Sequence, residues 1–258
     1  MKIKQCKMLN DSMYSRFSYF FKKYNLNKYY NINEPSIFFS LWGYGNLKKH
    51  KSFVVAIWRG SDIIKMEKKI KTIKKMKNVY HISISSYISR DLDRYGIKYK
   101  FIPIVGVNMK YFKPEKMGNE IYAYVPNTNS KKYYERYGMD IIQKIQKNIK
   151  YKINIVSCHQ YNRKDLVGVY KRCFCGLRMT KHDGLPSQVI EMGLMGRKTF
   201  YNGNIPGSIK WDQNNIDQIV KKIEEEAKKI NTINLEYSNQ IRNFINVGDK
   251  WLDTRYWE

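Results

Sequence analysis

In the stretch 181–200, KHDGLPSQVIEMGLMGRKTF, two carboxylates, Asp183 and Glu191, flank a Gly-Leu-Pro turn and a serine. Gly184 and Pro186 force a turn, Ser187 is of a type that caps helices, and Gln188 to Leu194 reads as the first two turns of a helix. The N–H groups at such a start point outward and the helix macrodipole favours negative charge. A phosphate or pyrophosphate could therefore sit on the Gly184–Gln188 backbone without a lysine. Asp183 precedes the turn and Glu191 follows Ser187 by one helical turn, so both acids could face one ligand, one near each end. At this level an ordinary capped helix with a solvated Glu191 remains the alternative. His182, beside Asp183, could donate to a ligand or simply pack at the surface.

A second group of reactive side chains stands at WRGSD (58–62). Arg59 could bind a phosphate or pair with Asp62, and Asp62 could assist a proton transfer.

The elements that must position these residues alternate between strand-like and helical runs, which points to an α/β protein built around parallel sheets. IFFSLW (37–42) and FVVAIW (53–58) are continuous apolar runs of the kind buried on both faces, and VYHISIS (79–85) is a third. A helix from Tyr87 to Tyr95 follows, with Ser85 or Ser86 at its start and Gly96 at its end. KYKFIPIVGV (98–107) reads as a strand and YFKPEKMGN (111–119) as a linker.

A second set then begins. EIYAYV (120–125), KINIVSC (152–158), CFCGLRMT (173–180) and RKTFYN (197–202) read as strands, with a helix over 133–149 and a short one over 165–170. From Asn215, the spacing of Ile216, Ile219, Val220, Ile223, Ala227 and Ile230 predicts an amphipathic helix. The apolar tail, with Phe244, Ile245, Trp251, Leu252, Tyr256 and Trp257, is expected to pack back on the body. The expected division is 1–114, 115–212 and a C-terminal helical segment 213–258. Two parallel-sheet domains of this kind place ligands in a cleft at the carboxyl ends of their strands, where both reactive groups fall.

The 258 residues are enough to bury a sizeable core, and 43% hydrophobic and 15% aromatic content argues against disorder. No apolar run reaches a membrane span and residues 1–30 lack a signal-peptide core, so the expectation is a soluble, cytoplasmic protein. Four cysteines, Cys6, Cys158, Cys173 and Cys175, suit a reducing compartment, and no second Cys/His pair stands at zinc spacing. With 48 Lys+Arg against 22 Asp+Glu, the formal charge of +26 implies a polyanionic partner, either nucleic acid or an anionic membrane surface.

The chain resembles glycosyltransferases of the GT-B fold, in particular the retaining group called family 4. Its hallmark is an acid, seven residues and a second acid around a Gly-rich turn, which HDGLPSQVIE matches, with Asp183 where the family usually has Glu. MGLMGRKTFYNG is similar to the family's small-residue helix, turn and next strand. WRGSD resembles its His-Gly-Ser-Asp stretch, and residues 85–114 resemble the segment leading to its interdomain linker. The resemblance implies a small version of GT-B: two Rossmann-like domains facing across a cleft, with a nucleotide-sugar of the UDP type as substrate and no cofactor.

On this resemblance Glu191 would accept from the ribose hydroxyls, and Asp183 would meet the transferred sugar. The backbone of Gly184, Leu185, Pro186 and Ser187 would line the pyrophosphate. Arg178 with Lys131 or Lys132 would clamp the leaving phosphate in place of a metal. Asp62 or His182 would assist proton transfer, and transfer would retain configuration.

Three acceptor readings follow from the charge. The first is a hydroxymethylated base in DNA, as for phage enzymes of this fold, with the basic surface tracking the duplex. The second is a lipid or surface glycan reached from the membrane through an amphipathic helix in 11–30, DSMYSRFSYFFKKYNLNKYY. The third is an inactive module that binds nucleic acid.

Overall fold

The structure, a computed structural model, describes residues 3–8, 14, 17–60, 62–157 and 160–250. The aromatic end of the tail, Cys158 and part of the expected 11–30 helix lie outside these residues; within that stretch Ser18–Tyr24 is helical. The chain divides into two compact units. One comprises Met1–Val107, His182–Leu185 and Ile245–Glu258, the other Asn108–Lys181 and Pro186–Phe244.

The first unit is built on a six-stranded sheet in which every pairing is parallel. Its strands are β1 (Gln5–Met8), β2 (Asn27–Lys28), β3 (Ser36–Phe39), β4 (Val54–Trp58), β5 (Val79–Ser83) and β6 (Lys100–Phe101), arranged β2-β1-β3-β4-β5-β6. All five residues of β4 are fully buried, as its unbroken apolar run requires. The run IFFSLW yields a shorter strand than expected. Ser40 adopts φ 91°, a conformation that ends the strand and turns the chain into a 3-10 helix, Leu41–Gly43. KYKFIPIVGV likewise pairs only through Lys100 and Phe101, because Pro103 has no N–H to give a ladder. The helix Ser86–Arg94 is capped by the Ser85 hydroxyl, which accepts from the Ile88 N–H at 3.4 Å, and Gly96 follows it with φ +64°.

The second unit carries a four-stranded parallel sheet of β7 (Glu120–Tyr124), β8 (Ile153–Val156), β9 (Cys173–Leu177) and β10 (Lys198–Phe200), ordered β10-β9-β7-β8. The expected single helix over 133–149 is two, Lys131–Arg136 and Met139–Lys147. Gly138 separates them in a left-handed conformation (φ +64°), where a Cβ would lie 2.5 Å from the Met179 carbonyl. The C-terminal helix Ile216–Ala227 is not a separate appendage. Ile219, Ile223 and Ala227 are buried in the same core as Ile142, Ile145 and Phe174. Helix Leu235–Asp249 packs Ile241 against Gly193, where a Cβ would meet Ile241 at 2.7 Å.

One buried cation knits this unit. Arg197 is 0% exposed, and its guanidinium donates to the carbonyls of Tyr170, Cys173, Glu115, Lys116 and Met195. Three separate stretches of backbone thus end on one side chain.

Candidate functional site

In the second unit the chain runs from β7 to β8, then crosses back to lay β9 on the other side of β7. Such a reversal opens a crevice at the carboxyl ends of β7 and β9, where parallel sheets bind ligands. Tyr124 ends β7 and Arg178 follows β9. The Arg178 guanidinium lies 5.3 Å from the Tyr124 ring and 4.9 Å from the Tyr137 ring. Stacking on two aromatic faces holds its charge at the crevice in a fixed place.

The chain leaves β9 through the Gly-Leu-Pro turn and enters the helix Ser187–Leu194. Pro186, with φ −71° and ψ 122°, occupies the cap position, so Ser187 is the first helical residue and not the side-chain cap its type suggested. Gln188 reaches back with its amide N–H to the Leu177 carbonyl at 3.4 Å, and its Oε1 is buried with no hydrogen-bond partner among the described residues.

Glu191 lies one turn further on and is 2% exposed, so the solvated-helix alternative does not hold. Its Oε2 accepts from the Tyr170 hydroxyl at 2.8 Å. Tyr170, on the helix Arg163–Lys171 that leads into β9, packs edge-on against Tyr122 of β7 at 4.9 Å between ring centroids. Burial, then the Glu191 charge, raises the pKa of both phenols, so both remain protonated donors. A buried carboxylate held by a phenol is an acceptor of fixed direction, suited to hydroxyl groups. Lys131 and Lys132 are exposed at the start of their helix. Lys131 lines a cavity of about 560 Å³ together with Lys181, Tyr134, Asp140 and Gln213.

The first unit gathers the remaining candidates. Gly184 comes so close to Gly60 that a Cβ on Gly184 would lie 2.9 Å from the Gly60 nitrogen, which brings Gly184 against the chain just past β4. Asp183 turns its carboxylate back to its neighbour, the Gly184 N–H at 2.8 Å, and its carbonyl accepts from the Ser85 hydroxyl at 3.4 Å. Leu185 is buried. His182 pairs through Nε2 with Asp91 at 3.0 Å and rests on the Tyr87 ring at 5.3 Å. Its Nδ1 is buried with no partner among the described residues.

Arg59 stacks its guanidinium on Phe17 and Phe39, at 5.4 and 5.3 Å. Asp62 is 2% exposed and bonded on both oxygens. It accepts from the Ser40 hydroxyl at 2.7 Å, the Leu41 N–H at 3.2 Å and the Arg59 N–H at 2.9 Å. The carboxylate therefore ties the carboxyl end of β3 to that of β4 and holds Ser40 in its strained conformation.

Burial pushes the Asp62 pKa up to about 6, against these three bonds and the Arg59 charge. A carboxyl whose folded value exceeds its unfolded 3.8 takes up a proton on folding between those two values. Its contribution is thus most favourable below pH 4 and weakens by up to about 3 kcal/mol as pH rises through 6. Asp62→Asn is expected to flatten that part of the stability profile. Unfolding midpoints between pH 4 and 7 check this, and an unchanged slope would count against it.

Tyr170, Tyr122, Asp91 and Ser40 were not singled out from sequence. Tyr122 lies in EIYAYV, which reads from sequence simply as a strand, whereas Asp91 meets His182 across 91 residues and no local spacing signals that.

No protein-family model matches the sequence, and no curated protein matches it. Solved structures do. Sucrose-phosphate synthase from Thermosynechococcus elongatus superposes with a TM-score of 0.65 at 12% identity, over 93% of this chain and 75% of that one. The fold is that of the GT-B glycosyltransferases. S. aureus TarM, in complex with Fondaparinux, alpha-GlcNAc-glycerol and UDP, gives 0.59 at 10% identity over 93% of this chain and 57% of that one. The pneumococcal O-GlcNAc transferase GtfA, in complex with UDP and GlcNAc, gives 0.53 at 11% over 93% and 59%. This GT-B chain thus spans three quarters of the first and less than two thirds of the other two. Among the described residues no helix is long and apolar enough to cross a membrane, and no three His, Cys, Asp or Glu side chains cluster to hold a metal ion.

Proposed function

We propose that the chain is a glycosyltransferase that moves a sugar from a nucleotide-sugar of the UDP-glucose type to a hydroxyl, with retention and without a metal ion. The observation that carries this reading is the buried Glu191 carboxylate, oriented by Tyr170 on the helix that follows the strand at the sheet's reversal. Glu191 would take the ribose hydroxyls and the Gly184–Ser187 turn the pyrophosphate, with Arg178 offsetting the charge that grows on the leaving phosphate. Two of the similar structures hold UDP, which favours a uridine nucleotide. As the acceptor oxygen bonds the anomeric carbon and the bond to phosphate breaks on the same face, His182 would accept the hydroxyl proton. Asp62 and Arg59 act by holding the surrounding loops.

The acceptor we favour is a hydroxymethylated base in DNA, because the formal charge of +26 exceeds what one pyrophosphate pocket needs. The stretch 65–75 carries exposed Lys65, Lys68, Lys69, Lys71, Lys74 and Lys75, beside Trp42 and Tyr44. A membrane-bound acceptor is the second reading. Trp42 and Ile64 are 40% and 59% exposed among these lysines, a composition that also suits an anionic lipid surface.

Incubation with radiolabelled UDP-glucose in EDTA, comparing plain DNA, DNA with hydroxymethylated pyrimidines and anionic vesicles, separates the readings. Label on hydroxymethylated DNA alone is expected. Label only in lipid selects the second reading, and neither transfer nor release of free glucose would leave a module that only binds nucleic acid.

A further inference from the structure

We infer that Tyr170 is a positioning residue through which this chain recognises a ribose diol, with Tyr122 as its support. The inference rests on the reading of Glu191 as a donor-binding group. A carboxylate on a flexible side chain offers lone pairs in many directions, and each must be fixed before two hydroxyls of one ring can be met together. At Glu191 a fixing bond comes from a different helix. The Tyr170 hydroxyl stands 2.8 Å from Oε2, and the whole Tyr170 side chain is 1% exposed.

The phenol has one proton. Tyr170 gives it to Glu191, and its ring packs edge-on against the Tyr122 ring at 4.9 Å between centroids. Tyr122 sits on β7, the central strand of the reversal, and is 2% exposed. The acceptor geometry of Glu191 is therefore referred to the sheet as well as to its own helix. Burial keeps the Tyr170 phenol protonated, so it remains a donor to Glu191. Such an acceptor favours a sugar that offers hydroxyl donors and discriminates against one that lacks them, because the group left unmatched is buried.

The test is calorimetric titration of the full chain with UDP and with 2′,3′-dideoxy-UDP. Wild type is expected to bind UDP more tightly than the dideoxy compound. Tyr170→Phe should weaken UDP by about tenfold, the size of effect seen when a partner that orients a ligand-binding side chain is removed. It should leave the dideoxy compound within twofold, so that the preference collapses. In a Glu191→Ala background the same change should have no effect on UDP affinity. Tyr122→Leu, which removes the ring packed edge-on against Tyr170, should move UDP in the same direction by less, and it serves if Tyr170→Phe does not fold. Equal weakening of both nucleotides, or an effect that persists without Glu191, would make Tyr170 a packing residue and overturn the inference while leaving the donor site standing. Wild type that binds neither compound would overturn both.

Discussion

Glu191→Gln is expected to lower kcat/KM for the nucleotide-sugar donor by about 30- to 150-fold while leaving the unfolding midpoint unchanged or slightly raised. The amide oxygen still accepts from Tyr170, so the bond across the two helices survives. What is lost is charge. Hydrogen bonds from two ribose hydroxyls to a carboxylate are each stronger than to a neutral amide by about 1–1.5 kcal/mol, and the sum gives the stated range. The stability side has the opposite sign, because Glu191 is 2% exposed and a neutral group there avoids the cost of burying a charge. Steady-state kinetics and thermal melts on the same preparation check both. A variant that melts far below wild type would assign Glu191 to the fold and not to the donor.

Arg197→Met should produce the largest stability loss of any single change in the second unit. The guanidinium serves five backbone carbonyls at full burial, and Met matches only the aliphatic stem and carries no donor. Leaving those carbonyls unmatched is expected to cost about 5 kcal/mol or more, or a fall of at least 10 °C in the unfolding midpoint. Arg197→Lys should not rescue it, since one ammonium on a flexible stem cannot reach three stretches of backbone at once. Melting curves of soluble protein decide this. A shift of only a few degrees would show that water or rearranged backbone replaces the guanidinium.

The strands at the two reactive groups are legible because they are parallel and buried on both faces: FVVAIW reads as a continuous apolar run and CFCGLRMT as a strand. β1 was not legible. Its sequence QCKM mixes polar and apolar residues, and Gln5 earns its burial by bonds to Tyr30, Asn31 and Ser36 that no short window displays. Glu191 stood out through its spacing from Asp183, but Tyr170 did not, because its role arises only when β9 returns beside β7. Ser187 was taken for a cap from its residue type, whereas the fixed φ of Pro186 moved the helix boundary by one position. Asp62 reads from sequence as a proton carrier or the partner of Arg59. Its three hydrogen bonds come from backbone and hydroxyl groups brought close by the sheet order, which residue types do not encode.

The central claim is that the second unit binds the nucleotide of a nucleotide-sugar through Glu191. Calorimetric titration of UDP, GDP and ADP into wild type and Glu191→Ala in EDTA tests it most directly. The account predicts saturable binding of UDP by wild type and its loss in the variant at unchanged secondary structure. Equal affinity of the two proteins for UDP, or no binding of any of the three nucleotides by wild type, would contradict it.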